Sequence, residues 1–489
     1  MKTITTLTTL TILAAGCLSA LAQSVETSVV RVNATLQSWS ASQPWDKSSP
    51  AKRRALGALL SDNRILTTAE MAANATFIEL ENADSTRRLP AKVIAIDYES
   101  NLALLAPNNG DTKDFFKGLK PLTLSAPAKI GDQVQVWQLE DNGMPLVTTA
   151  TIQGADIISS FADGHYFLTY EAKGSMQSAS SSFTLPAVRN GKLLGLLSTY
   201  NSKDQVIDII APEIIAAFLK DAADGSYEGF PSLGIGIAST VDPNFRSWLK
   251  LPDNVGGLYV TRVSKGSAAE RTGLKKGDVI TAIDGQAIGR RGYYTEKGYG
   301  KLYWSHLIRG KRKVGDTSSI TYLRDGKELK TSAVLGRPSK RLIPAHTFDT
   351  APKYLVKGGF IFQELTATYL KAFGEDWESK APLDLLDALA SPEDYKEGRN
   401  RLVILSATIP TPATTGYERI RSVLVDKVNG IKIADVASLI EAFKTPGADG
   451  IHTIEFLDSH PKKIFLDARL SNMVDAELLK RGIPALSRK

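Results

Sequence analysis

The densest set of nucleophile-type side chains is a serine run, Ser175, Ser178, Ser180, Ser181 and Ser182, closing on Phe183-Thr184-Leu185-Pro186. A serine hydroxyl attacks a carbonyl efficiently only when a neighbouring base takes its proton, a third group orients that base, and backbone N–H groups face the developing oxyanion. The customary base is histidine. The chain holds five, and the first is His165. His165, His306, His346, His452 and His460 each stand alone, a setting in which histidine is more often packed or solvated than catalytic. No His-x-His pair, His-Glu-x-x-His motif or dense carboxylate loop offers a metal site. No Gly-rich phosphate loop follows a strand, so the reading expects no cofactor. The single cysteine, Cys17, leaves no scope for a disulfide framework or a Cys-based metal site.

The elements that must position these groups read as β. At 489 residues, 43% hydrophobic and 23% charged, the chain has room for roughly three domains. Lys2 precedes an apolar stretch through Ile12 to Ala15, and Ala20-Leu21-Ala22 supplies a small-x-small pattern, so residues 1–22 read as a secretory signal and the mature chain begins near Gln23. A competing reading takes Ala15-Gly16-Cys17 as a lipobox that anchors the chain through a lipidated Cys17. No other apolar run approaches the roughly 20 residues that span a bilayer, so no transmembrane segment is expected in the mature chain. The net charge of +7 is scattered, and its densest run, Arg309 to Lys313, reads as a solvated turn, which argues against nucleic-acid binding.

Short alternating runs recur at Ser28–Asn33, Ala55–Leu60, Thr76–Leu80, Ala91–Ile96, Leu102–Ala106, Gln133–Leu139, Val147–Ile152, Tyr166–Tyr170 and Lys192–Ser198. Gly, Asn and Asp separate many of them, a pattern of barrels or sandwiches. Ala211–Asp221 reads as an amphipathic helix and Gly225–Pro231 as a linker. The division expected is a first domain over residues 24–221, a second over 231–337 and a third over 341–489.

In the second unit, Ser232-Leu233-Gly234-Ile235 leads into a strand, and Ser267 to Asp278 precedes Val279-Ile280-Thr281-Ala282-Ile283-Asp284-Gly285. Ser267 can cap a short helix, Gly273 can end it, and Asp284-Gly285 can turn the chain. This unit resembles a PDZ domain of the bacterial, circularly permuted kind. The resemblance implies that a peptide adds as a strand to a sheet edge, its terminal carboxylate held by a loop that falls here at Ser232, Leu233, Gly234 and Ile235. Gly234 would permit close backbone approach, and Leu233 and Ile235 would line an apolar pocket. Downstream, Ser422 to Ile433 repeats the strand and Gly-turn pattern, so the last unit reads as a second, divergent PDZ domain. Lys357-Gly358-Gly359-Phe360-Ile361-Phe362-Gln363-Glu364, Tyr369-Leu370, Phe373 to Trp377, Ile343 to Asp349 and Gly482-Ile483-Pro484 resemble the C-terminal module of plant-type Deg proteins.

On these residues the chain is identified as a member of the Deg/HtrA family. The fold class implied is mainly β, a trypsin-like double β-barrel followed by two PDZ-like α+β domains. The family's catalytic histidine follows Leu-Thr-x-Ala, and here Leu66-Thr67-Thr68-Ala69 is followed by Glu70. Its aspartate precedes an apolar strand, and here Asn101 precedes Leu102-Ala103-Leu104-Leu105. Its nucleophile sits in Gly-x-Ser-Gly-Gly-Pro, which is missing: anchoring on Pro186 puts Phe183 at the serine position, while counting from the preceding strand puts Ser178 there. Glutamate, with a pKa of about 4, is a poor base for a serine at neutral pH.

The expectation is therefore an exported pseudoprotease, periplasmic or secreted. Its PDZ unit binds extended peptides, unfolded proteins or protein C-termini, as a scaffold, chaperone-like factor or regulator in envelope protein quality control. The family's C-terminal module takes part in assembly, which implies a homo-oligomer. Two alternatives stay open: an active serine endopeptidase using Ser178 or Ser182 with Glu70, and a purely structural envelope protein.

Overall fold

The computed structural model describes residues 24–110, 112–159, 161–162, 164–177, 184–457 and 460–489. The signal segment, Cys17, Ser178, Ser180, Ser181, Ser182 and Phe183 lie outside the described residues.

Six strands, β1 (Val29–Leu36), β2 (Ala51–Leu59), β3 (Ile65–Thr67), β4 (Ala75–Glu81), β5 (Arg88–Asp97) and β6 (Leu102–Pro107), close into a barrel in the order β1-β2-β3-β6-β5-β4. Six more, β7 (Gln133–Leu139), β8 (Pro145–Ile158), β9 (Phe167–Lys173), β10 (Pro186–Arg189), β11 (Lys192–Asn201) and β12 (Val206–Ile210), close a second in the order β10-β11-β12-β9-β8-β7. Closure removes the unpaired edges that an open sheet presents. Val30, Val32, Ile65, Leu80 and Leu105 fill the first barrel; Val136, Leu168, Leu196 and Ile209 belong to the core of the second. The sequence runs placed most of the longer strands, but missed β3, β10 and β12.

One buried ion network ties the barrels together. Arg31, 2% exposed, lies 3.5 Å from Glu81 and donates to the Ala83 carbonyl at 2.6 Å, while its second amine reaches the Glu140 carbonyl on the β7–β8 turn. Such a charge is tolerated inside because its donors are used. The helix Pro212–Asp221, opened by proline at its first position, lays Ile214, Ile215 and Phe218 onto the second barrel. The segment read as a linker is pinned down: Phe230 meets Phe167 edge-on at 4.7 Å, and the Tyr227 hydroxyl donates to Asp97 at 2.5 Å.

The first α+β unit is built from β13 (Ile235–Ser239), β14 (Leu258–Val263), β15 (Val279–Ile283), β16 (Gln286–Ala287), the hairpin β17 (Tyr293–Glu296) and β18 (Gly300–Tyr303), β19 (Thr317–Arg324) and β20 (Lys327–Val334). Its sheet runs β13-β14-β15-β19-β20, with β16 on β15. Its core is continuous with that of the second barrel. Tyr299 fixes the hairpin to that barrel, sharing a hydrogen bond with Tyr170 at 2.8 Å and donating to Glu213. The aromatic group from Tyr293 to Trp304 is thus used in packing and docking.

The second α+β unit comprises β21 (Tyr354–Lys357), β22 (Phe360–Glu364), β23 (Val403–Thr408), β24 (Val423–Val428), β25 (Ile431–Lys432), β26 (Ile451–Phe456), β27 (Lys463–Asp467) and β28 (Ser487–Arg488). Its path β22-β23-β24-β26-β27, with β25 on β24, repeats the first unit's order strand for strand. Outside β22, however, lie two more strands, β21 and then β28.

Candidate functional site

Pairing of β3 with β6, Thr67 opposite Ala103, brings the turns at one end of the first barrel together. One is the turn Ala69–Met71 carrying Glu70; the other ends at Asn101, immediately before β6. Asn101 is 1% exposed and has φ 57°, a left-handed conformation that asparagine tolerates. Its Oδ1 accepts the Glu70 backbone N–H at 3.1 Å. The amide oxygen is thus spent in fixing the turn. The Glu70 carboxylate lies 3.9 Å from Arg53 at the surface. Beside it the barrels meet: the Thr68 and Thr184 hydroxyls share a 2.6 Å hydrogen bond, and Leu56 N–H donates to the Thr184 carbonyl at 3.1 Å. Before the undescribed serine segment, Ser175 is exposed, while Met176 is buried with its N–H on the Tyr200 hydroxyl.

The histidines are engaged elsewhere. His165, 5% exposed, sets Nδ1 3.0 Å from Glu99, and Arg309 reaches the same carboxylate at 3.1 Å. Burial alone would raise Glu99, but the His165 hydrogen bond and the Arg309 charge hold it below the usual carboxylate range. His306 and His452 are interior, and His460 is exposed. Arg309, read from sequence as part of a solvated turn, is an interdomain ion-pair partner. His346 opens a clamp that the sequence did not reveal. Phe348 packs against Tyr98 at 5.0 Å and Phe161 at 4.8 Å. Asp349 and Asn74 exchange hydrogen bonds of 2.9 and 2.7 Å, and Tyr98 donates to Asp349. The segment between the two α+β units therefore holds the loops that flank Glu70 and Asn101.

At the second candidate site, β13 is the edge strand of its sheet, paired to β14 with Ile237 opposite Val260 and bearing no partner strand on its other side among the described residues. Residues Ile235 to Ala238 are half-buried. An edge of this kind offers its N–H and C=O groups to an added strand. In the loop before it, Ser232 N–H donates to Gly336 O at 2.8 Å, and Gly234 N–H donates to Ser232 Oγ at 3.1 Å. Gly234 has φ 79°, and a Cβ there would fall 2.2 Å from Ser267 Cβ. The close approach that demands glycine is thus to Ser267, which caps the helix Ala268–Arg271 by accepting from Glu270 N–H. Leu233 is 2% exposed and belongs to the core, so of the two apolar residues read as pocket lining only Ile235 is partly exposed. The equivalent edge in the second unit, β22, is covered by β21, with Tyr354 opposite Gln363 and Lys357 opposite Phe360. Among the described residues no group of three His, Cys, Asp or Glu could hold a metal ion, and no helix is long and apolar enough to cross a membrane.

Two PDZ-domain family models match the chain, over residues 231–335 and 343–485. Protease Do-like 2, chloroplastic, of Arabidopsis thaliana is 28% identical over 470 residues, covering 94% of this chain and 74% of the relative. Putative protease Do-like 3, mitochondrial, of the same organism is 25% identical over 443 residues, covering 90% and 75%. A solved structure, HtrA-type protease AlgW with decapeptide, is 21% identical, covers 64% of this chain and 96% of its own, and superposes with a TM-score of 0.47. Two closed barrels followed by two PDZ domains, in a chain similar to Do-like proteases over nearly all its length, place it in one family: the chain belongs to the Deg/HtrA proteins.

Proposed function

We propose that the chain is an exported Deg/HtrA-like pseudoprotease that binds extended peptides or protein C-termini at the β13 edge through the loop Ser232, Leu233, Gly234 and Ile235. It acts as a scaffold, chaperone-like factor or regulator in envelope protein quality control, and as a homo-oligomer. The observation that carries this reading is the Glu70–Asn101 contact. The two positions expected to supply a base and its orienting acid supply instead a carboxylate beside Arg53 and an amide bonded to a backbone N–H. Neither position carries the imidazole whose ordinary pKa suits it to take a serine's proton at neutral pH. The open edge strand supports the binding half of the reading, since an added strand is held by main-chain hydrogen bonds.

The test uses the purified full chain. It is expected to take up no fluorophosphonate probe on serine and to leave unfolded casein intact. It should also bind a fluorescent peptide with an apolar C-terminal residue more tightly than the same peptide amidated. Labelling of Ser178 or Ser182 would replace this proposal with the active-endopeptidase reading.

A further inference from the structure

A cavity of about 780 Å³ lies between the segment after β1, the inter-PDZ segment 340–353, the end of β22 and residues 396–401. That volume falls in the range of small-molecule sites. Its wall carries five cationic side chains, Lys340, Lys353, Lys396, Arg399 and Arg401, against two carboxylates, Glu364 and Asp435. Three of the cations have acidic neighbours: Lys396 with Glu393 at 3.4 Å, Arg401 with Glu364 at 3.6 Å, and Arg399 with Asp426. Lys340 and Lys353 make no hydrogen bond or close ion pair among the described residues, although the Lys353 charge is felt by both Glu364 and Asp435.

Two buried nitrogens on the same wall are also unspent. The Arg399 side chain is 5% exposed, yet its Nε meets no acceptor, and His346 Nδ1 is buried without a partner. Buried polar groups are normally satisfied, and each exception calls for a reason. The opposing carboxylates are fewer: burial raises Glu364, partly offset by Lys353 and Arg401, while Asp435, which caps the helix Val436–Ala442, is held below the usual carboxylate range, against burial, by hydrogen bonds from Ser438 and Asn400 and by the Lys353 charge. β22 is paired on both sides, so this wall cannot take an added strand. The ligand is therefore compact and anionic.

We infer that this cavity binds a small, multiply charged oxyanion of the polycarboxylate or oligophosphate class, gripped by Lys340, Lys353 and Arg399 with His346 as an additional donor. This site is separate from the peptide edge and does not depend on it. Its wall includes His346 and Phe348, so an occupant would brace the clamp that holds Tyr98 and Asn74.

The test titrates the full chain with citrate and with inorganic pyrophosphate by calorimetry at constant ionic strength, using chloride as the control. Saturable binding of at least one is expected; the one that binds identifies the oxyanion. The double substitution Lys340→Gln with Lys353→Gln, at two exposed positions, should weaken it roughly tenfold. In the unmodified chain the same anion should protect Lys340 and Lys353 from amine acylation, read by mass spectrometry. Absence of saturable binding, binding undiminished in the double variant, or acylation at both lysines undiminished by the anion would each overturn the site.

Discussion

The two PDZ domains lay down five strands in one order, yet in the first the strand β13 ends the sheet, whereas in the second its counterpart β22 is an interior strand covered by β21 and β28. What separates them is the chain before β22. In the first unit residues Ser232 to Gly234 form a tight turn bonded to Gly336 and Ser264. In the second, residues 354–357 supply a whole strand, all four residues buried. A sheet edge already satisfied by its own chain has no free ladder groups to give a visitor, so a shared domain type does not carry a shared binding capacity.

The largest way to break the comparison is to strip the second unit of its covering. Val356, 0% exposed, donates its N–H to Leu486 O at 2.7 Å, which ties β21 to the chain end. Val356→Pro removes that donor from a buried ladder and should cost on the order of 3 kcal/mol or more. Hydrogen exchange should show β21, β22 and β28 opening first, with peptide affinity at β13 unchanged. A parallel loss of peptide binding would show that the units are one cooperative body and that the contrast between their edges has no functional weight.

Acid should separate the units more gently. Burial, with the Lys311 charge beside it, lowers His306 to about 4, while Glu296 opposes the shift in part. The unfolded imidazole titrates near about 6.5, so between these values the unfolded chain binds the extra proton. The stability this neutral histidine permits is present above about pH 6.5 and is lost as pH falls toward 4, by about 3 kcal/mol in all. His306 lies on the helix Ser305–Arg309; the helix that follows the same hairpin turn in the second unit, Val436–Ala442, buries Leu439 instead. Thermal melts of His306→Phe from pH 7.5 to 4 should lack most of this slope. The remainder is shared by His452, lowered by burial and Lys357, by His346, lowered by burial and the His165 charge, and by the depressed carboxyl of Glu99.

Local rules reached far in this chain, and their failures have a common physical origin. Ser267 caps its helix, Gly273 ends it at φ 79°, and Asp284-Gly285 turns with φ 49° and 77°, each dictated by neighbours a few residues away. The placing of Glu70 and Asn101 at neighbouring turns of the first barrel was equally legible, because the flanking strands keep their pattern. β3, β10 and β12 span only three to five residues, too few for a period-two pattern to stand out. The Asn74–Asp349 bond joins residues 275 apart, and Glu99, His165 and Arg309 come from three different elements. Contacts of that kind leave no spacing to read. Leu233 is drawn into the core from the loop before β13, where no strand period applies that could have shown its burial.

The finest test of the open edge is a single methyl group. Gly234→Ala places Cβ 2.2 Å from Ser267 Cβ and 2.9 Å from its Oγ, and holds alanine at φ 79°. The left-handed backbone costs about 1 kcal/mol. The contact forces the loop away from Ser267, straining the 2.9 Å bond from Ser264 N–H to the Gly234 carbonyl. A total loss of about 1 to 2 kcal/mol is expected, with peptide affinity falling roughly tenfold in fluorescence anisotropy because the loop no longer meets the end of an added strand. Adding Ser267→Gly removes the contact while costing the helix only a few tenths of a kcal/mol at its cap, roughly. The double variant should therefore recover most of the affinity and keep only the backbone strain. If affinity is untouched in Gly234→Ala, the loop does not hold the peptide's end, and the two PDZ edges differ in form alone.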